Sequence, residues 1–303
     1  MTIGTTMFTT LSIQGFSRLD AEIGALQEQI SSGKNDPRPS TDLGRAVQLS
    51  ALTDQRSSLD RFDSNLGNVL SRLANTDSVL EEMGTTTIRL QELATRAASD
   101  TSSADDRLAI RAEAVQLRLG LTSLANSKDS IGQNLFGGYR SEGVVFGEDA
   151  LGVISYLGDT GNHSLRVSET LRLPTGIDGA TAFMDIDTDT GSQSLFGIVD
   201  EFIDALGHDT LQNSQNPALS NLEKAVGHLI VQRTRAGAIS SVADTQAARI
   251  SDRKLSLEKS VSGLEDADIA QVITRLQALL INREASQATF AKISKQSLFD
   301  YLR

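Results

Sequence analysis

Apolar residues recur at alternating steps of three and four in two distant parts of this chain. Phe16, Leu19, Ile23, Leu26 and Ile30 keep that rhythm in one, and Ile269, Val272, Leu276 and Leu279 keep it in the other, where Phe290 and Ile293 resume the frame. Such spacing lines one side of a helix with an apolar seam. A lone helix cannot bury a seam, so each must face another helix, from the same chain or from a neighbouring copy. The first such helix is expected from about Thr9 to Ser31. Gly33 ends it, Pro37 and Pro39 forbid regular helix beyond it, and Ser40, Thr41 or Asp42 can cap the next.

The second helix carries a longer seam: Leu59, Phe62, Leu66, Val69, Leu73, Thr76, Leu80, Met83, Thr87, Leu90, Ala94 and Ala97 hold one heptad frame. Asp100 to Ser103 breaks it, with Ser103 a cap for a third helix that keeps Ile110, Ala114, Leu117, Leu121 and Leu124 in frame and ends near Ile131–Gly132. From Ser141 to Gly191 the pattern changes to short apolar runs among frequent glycines. Val153–Leu157 and Ser164–Val167 flank Gly158–Asn162 as strand, turn and strand. Leu171–Leu173 and Thr181–Ile186 are further strand candidates.

Helix returns at Leu195–Ile203. Asn216-Pro217 then reads as the start of another helix, whose diluted seam runs from Leu222 to Leu264 with Arg233, Ser240 and Lys254 at seam positions. Ile269 follows Leu264 by five residues, a slip that changes how the helix winds and marks a joint. The resulting fold class is mainly α: a long antiparallel coiled-coil or helical-bundle rod formed by the N- and C-terminal parts, with a small inserted β domain. The expected division is 1–42 with 265–303 as a terminal helix pair, 43–140 with 192–264 as a central bundle, and 141–191 as the β domain.

Composition narrows the function classes. The chain has 303 residues, no Cys, no Trp and a net charge of −11, so no disulfide framework or thiolate metal site is possible. The acidity and the lack of a basic stripe speak against nucleic acid and against acidic membrane surfaces. No apolar run is long enough to span a bilayer. Met1–Thr6 lacks the basic and apolar parts of a cleaved secretory signal. His163, His208 and His228 stand far apart and read as surface or turn residues, and no phosphate loop or nucleophile elbow occurs. Asp185, Asp187 and Asp189 alternate before Gly191, but the glycine is one place late for a calcium loop and Phe196 stands where its glutamate belongs. Those acids read as the wet side of a strand edge. No catalytic, cofactor-binding or metal-ligating residues are expected, and no cofactor.

The seams therefore point to an assembly subunit. Its expected interface is Phe16, Leu19, Ile23, Leu26 and Ile30 with Ile269, Val272, Leu276, Leu279, Phe290 and Ile293. The terminal helices carry few core residues each, against ordering costs of ~1–2 kcal/mol per residue. They are expected to be marginal in the free subunit and to order on assembly.

Several segments resemble the flagellin superfamily. Leu26–Lys34 followed by Pro39-Ser40-Thr41-Asp42 is similar to that family's ending of its first helix, with Thr41 and Leu43 departing from its motif. Arg89–Ala94 resembles its central helix, and Leu264–Ala270 the start of its last. Leu135-Phe136-Gly137-Gly138-Tyr139, Tyr156–Asp159 and Ser297–Leu302 resemble the hook–filament junction branch, the FlgL family. The resemblance implies a structural, non-enzymatic part of the bacterial flagellum, outside the cell. It would be exported unfolded through the flagellar type III channel without a cleaved signal. Its implied partners are further copies of itself in a ring or short helical layer, another hook-associated protein, flagellin and an export chaperone. A minor flagellin polymerising along the filament is the alternative, and a cytoplasmic coiled-coil adaptor is a third reading.

Overall fold

The computed structural model describes residues 3–35, 42–99, 102–189, 191–208 and 217–295, with the side chains of 3–6 and 294–295 left aside. The proline segment after Asn35, the caps at Ser40 and Thr41, Asn216 and the Ser297–Leu302 motif lie outside the described residues. The elements run in order: α1 (Ile3–Ser32), α2 (Leu43–Ala97), α3 (Ala104–Ala125), β1 (Phe146–Glu148), β2 (Ile154–Tyr156), β3 (Ser164–Arg166) and β4 (Arg172–Pro174). A π-helical turn (Ala180–Met184), β5 (Ile186–Thr188), β6 (Gly191–Gln193), α4 (Leu195–Gly207), α5 (Ala218–Glu265) and α6 (Ile269–Lys295) follow. The fold is mainly helical with a small β region between its helical parts. It divides into two compact units, Met1–Ser57 with Arg253–Arg303, and Ser58–Asp252.

In the Ser58–Asp252 unit the long seam of α2 is buried from Leu59 to Ala97 except at Phe62, which is half-buried. Thr76 and Thr87, polar members of that seam, donate their hydroxyls to the carbonyls of Arg72 and Met83 one turn back, so neither carries an unmet donor into the core. The α5 seam holds too, and its arginine has a reason to be there. Arg233 donates to both Asp77 carboxylate oxygens, at 2.9 and 3.2 Å, and to Glu81 at 2.9 Å, tying α5 to α2. α3 opens with a capping box in which Ser103 and Asp106 satisfy each other's backbone. Those bonds from Ser103 hold the Asp106 carboxyl below its ordinary range.

Four sequence-based expectations are corrected by the structure. α1 begins at Ile3 rather than Thr9. α3 stops at Ala125 rather than near Ile131–Gly132, because Asn126 leaves the helix to serve β1: its side-chain oxygen accepts from the Val145 and Phe146 amides and its Nδ2 donates to the Phe146 carbonyl. The runs around Gly158–Asn162 do not pair with each other. β2 pairs antiparallel with β1 through a turn closed by Asp149, whose carboxylate accepts from the Leu151 and Val153 amides, and β3 pairs with β4. Thr181–Met184, taken for strand, is π-helical, with Asp178 accepting from the Thr181 amide and hydroxyl; only Ile186 onward is extended.

The β region is held by aromatic packing rather than by sheet, since the three ladders among its described residues have two strands each. Phe136, Phe146, Phe183 and Phe196 are fully buried, with ring centroids 4.8–5.6 Å apart in the Phe136–Phe183, Phe146–Phe183 and Phe146–Phe196 pairs. Arg118 of α3, buried, clamps this region. It donates to Asp200 of α4, to Glu148 at 3.0 Å and to the Gly152 carbonyl. Burial alone would lower its pKa, but the two carboxylates more than offset that, so it stays charged.

Tyr156 completes the cluster. Its hydroxyl points at the carbonyls of Asp159 (2.7 Å) and Phe136 (3.0 Å). Burial first, and the nearby Asp178 charge second, push its pKa up to about 12. Its contribution to stability is complete below pH ~10, the ordinary phenol value, and is lost as pH rises toward the folded value. Spectrophotometric titration at 295 nm should show one phenol, absent from Tyr156→Phe, that ionises only near pH 12. A Tyr156→Phe difference spectrum titrating at the ordinary value would contradict this.

Candidate assembly surface

α1 and α6 form the core of the Met1–Ser57 and Arg253–Arg303 unit. Phe8 and Phe16 meet Phe290, Asp20 meets Arg283 at 3.2 Å, and Lys34 meets Glu265 at 2.8 Å, so the helices run antiparallel. Each of these ion pairs includes well-exposed groups, so solvent screening leaves them little weight in stability; apolar contact has to supply the rest. Ile23 and Leu26 are buried in the pair, while Phe16, Leu19, Ile30, Ile269, Val272, Leu276, Leu279 and Phe290 are half-buried. Ile293 is exposed. The expected interface residues are thus brought together within one chain. Near its aromatic end the pair opens into a cleft of ≈410 Å³ lined by Phe8, Phe16, Leu19, Phe290 and Ile293, with small residues between them.

The end of this pair is stitched at the joint that the five-residue slip marked. Gly33 takes the left-handed conformation, φ 70°, that ends α1. Its carbonyl accepts from the Ala267 amide (2.9 Å), and the Asn35 amide donates to the Glu265 carbonyl (2.6 Å). Asn35 Nδ2 donates to the Asp266 carbonyl (3.0 Å) and reaches that of Leu264 (3.4 Å), meeting carbonyls left open where α5 stops. Asp268 then caps α6 by accepting from the Gln271 amide, as Asp42 caps α2 through Arg45. The hydrogen bond and charge of Glu265 hold the Lys34 ammonium above its ordinary pKa.

The sequence reading missed a second set of apolar residues on these helices. Met7, Leu11 and Ile13 on α1 and Ile273 and Ile281 on α6 are exposed. They fall outside the three-and-four seam. The available signal was a different one: no residue from 1 to 17 is charged, so the start of α1 has only uncharged Thr, Ser and Gln to turn toward water.

The other candidates go to structural ends. Phe183 and Ile186 are buried while Asp185, Asp187 and Asp189 face outward. Asp189 is paired with Lys224 and Asp185 accepts from Ser192. The Lys224 ammonium holds the Asp189 carboxyl below its ordinary pKa. Among the described residues no group of three or more His, Asp or Glu side chains is placed to hold a metal ion. His163 lies against the Tyr139 ring, His208 sits exposed at the end of α4, and His228 reaches the Thr181 carbonyl at 3.0 Å. No described helix is long and apolar enough to cross a membrane.

Comparison with known proteins agrees with this architecture. The bacterial flagellin N-terminal helical region matches residues 3–141 and the bacterial flagellin C-terminal helical region matches residues 219–302, together well over half of the chain. The flagellar hook-associated protein 3 of Salmonella typhimurium is 27% identical over 320 aligned residues, covering all of both chains. Flagellin FlaB1 of Treponema pallidum is 24% identical, also covering all of both. Among solved structures, flagellar hook-associated protein 3 of Legionella pneumophila superposes with a TM-score of 0.67 at 16% identity, over 71% of this chain and 98% of that one.

Proposed function

The chain belongs to the bacterial flagellin family, and from that premise we propose that it is a structural adaptor of the flagellum, joining the hook side to the flagellin filament. The observation that carries this reading is the end-to-end likeness to a flagellar hook-associated protein 3. The work is mechanical coupling rather than catalysis. Torque passes through many modest apolar contacts repeated between copies, which suits helices whose seams are only half-buried in one chain. The partners in this reading are further copies, another hook-associated protein and flagellin. The chain reaches them by flagellar export without a cleaved signal, helped by an export chaperone. Residues 1–42 with 265–303 form the axial region, 43–140 with 192–264 the next shell, and 141–191 the outer domain. The seam of Phe16 to Ile30 and Ile269 to Ile293 serves assembly by holding the axial pair together.

A second reading, a minor flagellin, has one observation behind it: the end-to-end match to FlaB1 at slightly lower identity. Immunogold microscopy with an antibody against residues 141–191 separates the two. Label confined to the boundary of hook and filament is expected. Label spread along the filament would make the protein a flagellin, and its absence outside the cell would overturn both.

A further inference from the structure

A polar cleft of ≈450 Å³ opens in the Ser58–Asp252 unit, between α2, the loop of residues 129–141 and the β3–β4 hairpin. Small-molecule sites span roughly 300–1,000 Å³. Asn68, Ser71 and Asn75 face the cleft from α2, at the i, i+3 and i+7 spacing that lines up side chains along a helix. Gln133 and Ser141 face it from the loop, and His163 and Leu165 from the hairpin side. The side chains of Asn68, Ser71, Asn75 and Gln133 make no hydrogen bond to another described residue, so their donors and acceptors are open to a ligand. Among the described residues that line the cleft, the only Lys, Arg, Asp or Glu are Arg72 and Asp129, and these are spent on each other and on backbone. Arg72 also donates to the Asn134 and Leu135 carbonyls, and Asp129 accepts from the Ile131 (3.0 Å) and Gln133 (2.9 Å) amides. In a chain of 22% charged residues, the cleft therefore offers no free charge to a phosphate or a metal ion.

Tyr139 supplies an aromatic surface at the same place. It is 56% exposed although its ring is braced: the His163 ring stands edge-on to it at 5.0 Å, and a Cβ on Gly161 would lie 1.9 Å from its Cε2. His163 is fixed in turn, since its carbonyl accepts from the Thr175 amide (2.8 Å) and hydroxyl (3.2 Å). The walls are thus set before a ligand arrives, which lowers the ordering cost of binding. We propose that this cleft binds a neutral oligosaccharide. A sugar ring has an apolar C–H face and a rim of uncharged hydroxyls. The Tyr139 ring suits the face. Each amide of Asn68, Asn75 and Gln133 holds a donor and an acceptor side by side, which suits a pair of adjacent hydroxyls. The site takes no part in the coupling role proposed above and does not rest on it.

The test is an array of neutral, sialylated and sulfated glycans probed with the tagged full-length protein, followed by saturation-transfer NMR on the best neutral trisaccharide. Binding confined to neutral glycans is expected, with the strongest transfer to ring C–H protons. Tyr139→Ala should weaken it by about tenfold or more and Asn75→Ala by about fivefold. Because Tyr139→Ala also removes packing on Gly161, Ser71→Tyr serves as a second variant. Ser71 is exposed on α2, so a tyrosine there fills the cleft without disturbing the core; binding should be lost while the thermal midpoint stays in place. Binding to acidic glycans alone, or to none, would overturn the proposal. So would neutral-glycan binding that survives both Ser71→Tyr and Asn75→Ala. A competition between the free trisaccharide and the same sugar on a threonine peptide then identifies the source. Equal inhibition supports a free saccharide as ligand, and much stronger inhibition by the glycopeptide supports a sugar carried by another protein. Immunogold label at the junction or along the filament bears only on the adaptor reading, so the two proposals fail separately.

Discussion

Ile23→Asp is expected to abolish assembly while leaving the Ser58–Asp252 unit folded. Ile23 is 5% exposed and is, with Leu26, one of the two buried apolar residues of α1 among its described side chains. A carboxylate there would lose its water without gaining a partner, at a cost on the order of 3 kcal/mol, a factor of roughly 100 or more in the pairing equilibrium. Because most other apolar contacts between α1 and α6 are only partial, the pair has little to set against that cost and separates. Far-UV circular dichroism should lose helix only to the extent of α1 and α6, and the main thermal transition should stay in place. Sedimentation and electron microscopy should show no higher assembly. Ile23→Val, costing ~0.5–1.5 kcal/mol, should assemble. A broad loss of helix in Ile23→Asp, or normal assembly by it, would refute the account.

Gly138→Ala should do the opposite, damaging the β region and leaving the terminal pair intact. Gly138 has φ +65°, and a Cβ there would lie 1.9 Å from the Asp159 carbonyl oxygen and 2.7 Å from its carbon. The left-handed backbone costs a non-glycine residue ~1–2 kcal/mol, and the neighbour is backbone that cannot rotate away. Residues 158–161 would have to move, breaking the Asp159 amide bond to the Gly137 carbonyl (3.1 Å) and the Tyr156 bond to Asp159. A total of about 3–5 kcal/mol lowers the midpoint of thermal unfolding of this unit by on the order of 10 °C. Gly67→Ala is the control: that glycine is exposed within α2 with nothing within 4 Å of a Cβ, so alanine should stabilise by ~1 kcal/mol. Equal midpoints for Gly138→Ala and the wild type would remove the steric argument.

The long helices were legible because helical burial is periodic and local. Every position of the α2 frame from Leu59 to Ala97 is buried or half-buried, and even Arg233, which breaks the α5 pattern, keeps its seam position by pairing with Asp77 and Glu81. The five-residue slip before Ile269 marked a real end of helix. Strand pairing was not legible. Three-residue strands carry too little alternation to name their partners, and the Asp149 turn that joins β1 to β2 works through a side chain, not through a glycine pair. The π-helical turn escaped for the same reason, since Asp178 and the packing of Phe183 on Phe136 and Phe146 hold it.

By itself the sequence determined that this is a mainly helical assembly subunit with a glycine-rich β insert, because apolar spacing dictates which side of a helix must be covered. Tertiary structure decided what covers it. The seams of α1 and α6 turn to each other within one chain, which leaves Met7, Leu11 and Ile13 facing outward. Periodicity specifies a face that avoids water, but the identity of its partner depends on which surfaces the rest of the fold brings within reach.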